Sequence, residues 1–200
     1  MIYLSGKSNI HLRHPRLGFL LVLGDTRPLP NGHSPLAADN GCFKRPHAYS
    51  DKAYAKFLAR LPRARTLFAT APDVLGDHHA TVERAIPALR MIRDLGIPAA
   101  FVAQDGWRDE STPWDEFDAL FIGGSTEFKF RHGRDAVVAA NRRHKWCHMG
   151  RVNSLDRLRA ACGVGCHSAD GTFIAFGPNK NGPKLLRWLD SITAQPELSV

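Results

Sequence analysis

A chain of 200 residues, 44% hydrophobic and 23% charged, has the size and composition of one globular domain with room for a sizeable core, so a single domain over 1–200 is expected. No run of eighteen apolar residues occurs, and the opening MIYLSGKSNIHLRHPRLG lacks the apolar stretch and cleavage site of a secretion signal, so no membrane partner and a cytoplasmic address are expected. The net charge of +8 points to an anionic partner without naming it.

In chain order, Met1–Ser5 reads as a short first strand and Leu17–Leu23 as a continuous apolar strand buried on both faces. Asp25 to His47, rich in Pro, Gly, Asn and His, reads as a long loop with Leu36-Ala37-Ala38 embedded in it and an Asp39-Asn40-Gly41 turn. Ser50 caps a helix over Asp51–Leu61, and Thr66–Ala71 is a strand ending at Pro72-Asp73. A helix from Asp77 to Leu95 follows, with Pro87 predicting a kink. Pro98–Ala103 and Ala119–Ile122 are strands, separated by one short turn at Trp114–Phe117. Arg134–His144 is a helix and Trp146–Met149 a strand; Asn153 or Ser154 then caps a helix that Gly163 stops. Val164–Cys166 is expected as the next strand, Phe173–Phe176 as a last one, and Pro183–Ile192 as a closing helix. Cys42, Cys147, Cys162 and Cys166 are expected to be free thiols.

Strand and helix alternate through seven or eight short apolar strands, so the fold class expected is α/β, a compact (β/α) TIM-like barrel. About 250 residues is typical for that fold, which predicts a truncated or irregular version; an open doubly wound sheet is the alternative. In either case the C-terminal strand ends carry the site. Those ends supply Asp73, Gln104-Asp105, Gly123-Gly124, His148 to Asn153 and His167 to Asp170, joined by Asp39 if its loop folds over the same face. Carboxylates, an amide and close-approach glycines suit a flat, hydrogen-bonding ligand such as a nucleobase. Individually, Asp73 also reads as a helix cap and Gln104-Asp105-Gly106 as a turn.

The segments DNGCF (39–43), FATAPDVLGD (68–77), VAQDG (102–106), FIGGSTEFK (121–129) and HMGRVNSLDRLRAACGVGCHSADGT (148–172) occur in an order that resembles the tRNA-guanine transglycosylase superfamily. The resemblance spans about residues 36 to 190 and is strongest to short, phage-borne members that exchange guanine in DNA for a 7-deazaguanine such as preQ0. It implies a modified TIM barrel and a base exchange in which an Asp attacks the anomeric carbon of a guanosine. It places the chain in the host cytoplasm if it is phage-encoded, with DNA or tRNA and a guanine or 7-deazaguanine base as partners. By resemblance Asp39 contacts the base and serves in acid/base work, while Asp73, Gln104 and Gly123-Gly124 read the base; His148 joins the substrate-binding set. The family's nucleophilic Asp, aligned on Ser168-Ala169, falls on His167, so either His167 or Asp170 is the nucleophile, or the chain binds a base and exchanges it poorly. An oxocarbenium-like centre favours Asp170; alignment favours His167. Bacterial and archaeal relatives carry zinc on cysteines that follow the nucleophile, but no cysteine follows Cys166 here, so neither metal nor cofactor is expected.

Lys129, Arg131, Arg142, Arg143 and Arg151 are candidates for a phosphate-binding rim, against the plainer reading of a solvated helix end. Trp107, Phe43 and Phe128 are candidates to fill the gap left by an unstacked base. A non-catalytic module that holds a deazaguanine base or nucleic acid is the second functional expectation. A barrel enzyme acting on a small phosphorylated metabolite is the third.

Overall fold

A computed structural model describes residues 1–6, 11–30, 32–42 and 49–192. Phe43 lies outside them. Eight parallel strands form a closed barrel: β1 (Ile2–Ser5), β2 (Leu17–Val22), β3 (Leu36–Asp39), β4 (Thr66–Thr70), β5 (Ala99–Ala103), β6 (Ala119–Ile122), β7 (Trp146–Met149) and β8 (Ser168–Asp170). Each pairs with the next, and β8 returns to β1, with Leu4 opposite Asp170. Six helices are described outside the barrel: α1 (Asp51–Leu58), α2 (His78–Asp94), α3 (Thr126–Arg131), α4 (Gly133–Arg142), α5 (Leu155–Gly163) and α6 (Pro178–Ser191). The chain is therefore an α/β TIM barrel.

Two apolar clusters divide the strands by alternation. Leu4, Ala37, Phe68, Ala100 and Ala119 fill the inside of the barrel. Their neighbours Tyr3, Leu36, Ala38, Ala69, Phe101 and Leu120 face outward against the helices. Successive side chains on a strand point to opposite faces, so both faces of every strand are buried and the strands read as continuous apolar runs. The helices start where polar caps allow. Ser50, Asp77, Ser125 and Ser154 each accept a hydrogen bond from the backbone N–H three residues on. Each cap is worth ~1 kcal/mol. Helix α2 continues through Pro87. Among the described residues, no helix is long and apolar enough to cross a membrane. All four cysteines are free.

Four elements differ from the sequence reading. Strand β3 sits within the stretch that reads as loop, because a parallel barrel strand needs only four residues and Pro35 and Gly41 flank it closely. Val164–Cys166 is no strand: Val164 closes α5, Gly165 turns at φ +95°, and the Cys166 N–H returns to the Ala161 carbonyl. The strand is the polar Ser168–Asp170 instead. Ile174–Phe176 is a 3-10 turn rather than a last strand, and α3 is an additional short helix.

Candidate active site at the mouth of the barrel

Counting in twos from the inward residues shows what the barrel presents at its C-terminal mouth. Ala37 leads to Asp39, Phe68 to Thr70, Ala100 through Val102 to Gln104, and Ala119 through Phe121 to Gly123. Trp146 leads to His148, and Ser168 to Asp170. Asp39, Gln104, Gly123, His148 and Asp170 therefore share the inner face. The floor beneath them is aromatic: the His148 ring lies 4.5 Å from Phe121 and 5.1 Å from Phe68.

On one side stand the β3, β4 and β5 ends. Asp39 is half-buried, and its Oδ1 accepts from the Gly41 N–H at 2.7 Å. Asn40, 3% exposed, ties this turn to β4 by donating to Thr70 Oγ1 at 3.1 Å and to the Ala71 carbonyl at 2.8 Å. Gln104 is buried; its Nε2 donates to Asp73 Oδ2 at 2.5 Å while its Oε1 accepts from the Gly76 N–H at 3.1 Å. Burial pushes the Asp73 carboxyl above the usual range, against the opposing pull of its hydrogen bonds and Arg84. Gly123 packs so closely that an added Cβ would meet Val102 Cγ1 at 2.6 Å and Gln104 Nε2 at 3.1 Å. Gly124, at φ +66°, passes beside the Asp105 carboxylate, which accepts from the Ser125 hydroxyl and N–H. Burial raises the Asp105 pKa, but these Ser125 bonds outweigh it and hold the group below its ordinary value. A cleft of about 610 Å³ opens beside this wall, lined by His78, His79, Asp105, Arg108 and Ser111 among others.

On the other side stand the β6, β7 and β8 ends. His148 is fully buried and lies between Ser168 Oγ, 2.8 Å from Nδ1, and Asp170 Oδ2, 3.0 Å from Nε2. An ionised Asp170 only accepts, so Nε2 carries a proton. In the neutral ring Nδ1 then accepts, and the donor is the Ser168 hydroxyl, whose oxygen itself accepts from the Trp146 indole N–H at 2.9 Å. The chain Trp146–Ser168–His148–Asp170 thus orients the carboxylate from below. From above, the Arg151 N–H donates to Asp170 Oδ1 at 3.3 Å from a left-handed backbone at φ +61°. The Arg151 guanidinium bonds the Gly124 carbonyl. Lys129 Nζ donates to the Gly150 carbonyl at 2.7 Å. Burial, together with repulsion from Arg151 and Arg157, pushes Lys129 down to about 8 despite the attraction of Asp170.

The two candidate nucleophiles separate. Asp170 ends β8 at the mouth, whereas His167 precedes β8 at the opposite end of the barrel. There His167 Nδ1 accepts from the Cys147 N–H at 3.0 Å and the ring stacks on Trp146 at 4.9 Å. It borders a separate cavity of about 380 Å³ with Met1, Arg16 and Cys162. Burial lowers the His167 pKa, assisted by the positive N-terminus. The expectation that His167 lies at a C-terminal strand end is corrected, for the physical reason that the strand is Ser168–Asp170 rather than Val164–Cys166, so His167 precedes it instead of following it. The basic rim also divides. Lys129 and Arg151 are at the mouth, and exposed Arg131 pairs with Glu127 at 3.3 Å. Arg142 and Arg143 end α4 just before β7, at the other end of the barrel; Arg143 pairs with Asp109 at 3.2 Å and lies over Trp114. Trp107 and Phe128 are core residues, 8% and 3% exposed. Among the described residues, no group of three or more His, Cys, Asp or Glu side chains is arranged to hold a metal ion. The sequence offers Ser168 only as one of the polar cluster His167 to Asp170 and Trp146 only as the start of a strand; the period-two pattern places them directly below Asp170 and His148.

No protein-family model matches the sequence, and no curated protein matches it. Solved structures do match. Two structures of the tryptophan synthase complex from Pyrococcus furiosus align over 79% of this chain with a TM-score of 0.50 at 15% and 16% identity. The chain spans only 64% of the length of those matched chains. The 3-hexulose-6-phosphate synthase from Salmonella typhimurium aligns over 78% of this chain and 74% of its own, with a TM-score of 0.47 at 15% identity. The tryptophan synthase likeness shows the TIM-barrel fold alone, and the resemblance to the transglycosylase superfamily rests on the sequence motifs.

Proposed function

We propose that this barrel exchanges guanine in nucleic acid, DNA rather than tRNA, for a 7-deazaguanine base. The observation that carries the reading is the position of Asp170. Its carboxylate sits on the inner face of the mouth, oriented by His148 Nε2 and the Arg151 N–H, on the same rim as the Asp73–Gln104 pair and Asp39. In this reading Asp170 attacks C1′ of the target nucleoside and the C1′–N9 bond breaks. Asp39 supplies a proton to the departing guanine. The incoming deazaguanine then attacks C1′ through N9, its proton passes to Asp39, and the Asp170 ester bond breaks. Asp73, Gln104 and the backbone at Gly123-Gly124 hold the base. Lys129, Arg151 and Arg131 hold phosphates. The His-for-Asp departure at position 167, which motivates a binding-only module, concerns a side chain at the far end of the barrel.

The test is incorporation of labelled guanine or preQ0 into an oligonucleotide. Asp170→Asn is expected to lower the rate by at least about a thousandfold, the scale of losing a covalent nucleophile, and Asp39→Ala to abolish exchange. His167→Gln is expected to keep most of the rate. Retention of exchange by Asp170→Asn, or no exchange by the intact wild-type protein on either DNA or tRNA, refutes the reading.

A further inference from the structure

Two hydrogen bonds of the mouth meet on one peptide unit. The Gly150 carbonyl accepts from Lys129 Nζ at 2.7 Å, and the N–H of the same peptide, that of Arg151, donates to Asp170 Oδ1 at 3.3 Å. The peptide therefore stands between an ammonium group and the Asp170 carboxylate. Taken alone, the bond to Asp170 is long for N–H···O. A cation on the carbonyl end draws electrons away from the N–H and makes it a stronger donor. The backbone does not take this orientation by default. Arg151, at φ +61°, is one of two non-glycine residues with positive φ among the described residues, and such a residue persists only where its surroundings hold it. The Arg151 guanidinium bonds the Gly124 carbonyl after β6. The Val152 N–H donates to the Asp170 carbonyl at 2.6 Å, and the Val152 carbonyl accepts from the Tyr3 hydroxyl at 3.0 Å. Those bonds hold Arg151 and Val152, and Lys129 holds the peptide that precedes them. Gly150 gives that peptide the freedom to turn over; a Cβ there would meet the Phe121 ring at 2.7 Å. Lys129 itself is half-buried on α3. Burial, Arg151 and Arg157 disfavour its charged form and Asp170 favours it, which leaves it charged at neutral pH with a pKa of about 8. A lysine that served only solvent or a passing phosphate would gain by turning its ammonium group outward. This one stays on a backbone carbonyl.

We propose that Lys129 is a positioning residue for Asp170 and acts through the Gly150–Arg151 peptide: its ammonium group keeps the N–H of that peptide aimed at the carboxylate, and without it the peptide is free to turn over. This rests on the base-exchange reading, with Asp170 as nucleophile, and deepens it. The ammonium group has further donors for a phosphate. The two roles act on different steps, because a phosphate contact serves binding of the polynucleotide whereas a set carboxylate serves the reaction of the bound complex.

The experiment compares wild type, Lys129→Met and Lys129→Arg at neutral pH, by steady-state exchange of labelled guanine and by NMR of the Arg151 amide and the Asp170 carboxyl carbon. Met keeps the apolar stem and carries no charge to bury, so Lys129→Met is expected to fold, checked by urea unfolding. It is expected to lower kcat about tenfold or more, the scale of one charge-assisted hydrogen bond, and to displace both resonances. Lys129→Arg, whose guanidinium can donate to the same carbonyl, is expected to keep the higher kcat of the two variants and resonances closer to wild type. A raised KM for the polynucleotide with kcat unchanged overturns the proposal, because Lys129 then serves a phosphate alone. An unmoved Arg151 amide in folded Lys129→Met overturns it too. The resonances are read without turnover. If wild type exchanges no base on DNA or tRNA while Lys129→Met still displaces them, the exchange reading fails and the contact through the peptide stands.

Discussion

Replacing His148 by Phe tests the hydrogen-bonded chain beneath Asp170. The ring stays, so the contacts with Phe121 at 4.5 Å and Phe68 at 5.1 Å survive, and the loss is confined to two hydrogen bonds. One goes to the fully buried Ser168 hydroxyl, at about 1 kcal/mol for a neutral pair. The other goes to a carboxylate, about 1.5–3 kcal/mol when undiluted by water. The Asp170 side chain is 15% exposed, so water restores part of that second term. The net expectation is about 2–3 kcal/mol, or a fall in Tm of roughly 5–10 °C for a domain of this size. Ser168→Ala breaks the same chain one link lower. The double variant is therefore expected to cost about 1 kcal/mol less than the sum of the single changes, measured by urea unfolding. Exchange should fall with His148→Phe through a mis-set carboxylate. Nitrogen NMR of His148 checks the assignment directly, with the proton on Nε2 and none on Nδ1. A proton on Nδ1 alone, or strictly additive unfolding energies, refutes the chain.

Lys129 makes stability depend on alkaline pH. Its folded pKa of about 8 lies below the ordinary 10.5, so between those values the unfolded chain binds the extra proton and stability rises with pH. Lys129→Met should remove a rise on the order of 2 kcal/mol from wild type over that window, read as the difference between the two unfolding profiles. A parallel pair of profiles refutes the burial argument. Gly150→Ala should destabilise by about 1–3 kcal/mol through overpacking. Its Cβ meets the Phe121 ring at 2.7 and 3.0 Å, and Asp170 Oδ2 lies 3.4 Å away, so exchange should fall with it; unaltered unfolding by urea would show that Phe121 has room to yield.

The apolar part of the barrel was legible because burial on both faces leaves a short hydrophobic run. Leu17–Val22, Ala99–Ala103 and Ala119–Ile122 announce themselves in this way. The places where reading failed are places where the barrel stops being apolar. Ser168-Ala169-Asp170 is a strand whose inward residues are polar because they meet Trp146 and His148 rather than hydrocarbon, and a largely polar triplet running into Gly171 reads as loop. The apolar Val164–Cys166 attracted the strand assignment although those residues end a helix. That one shift set His167 beside the site on paper and at the other end of the barrel in space. Asp39, Gln104, Gly123 and His148 were legible because their strands were placed correctly or their turn chemistry was plain. The partition of the arginines was legible as well, because Arg142 and Arg143 precede the Trp146–Met149 strand and so fall at its N-terminal end, whereas Arg151 follows it.

The pairing of β8 with β1 has a consequence for how the protein is made. Leu4 is opposite Asp170, and the Tyr3 hydroxyl donates to the Val152 carbonyl at 3.0 Å, so the first strand braces both the last strand and the loop that carries Arg151. Loop closure across so long a separation is slow compared with local helix formation. The first strand leaves the ribosome long before its last neighbour exists, and it must wait with one edge unpaired. His148 and Arg151 reach Asp170 from β7 and the loop after it, but the Tyr3 brace on that loop forms only when the seam shuts, so activity during refolding is expected to follow ring closure rather than helix content.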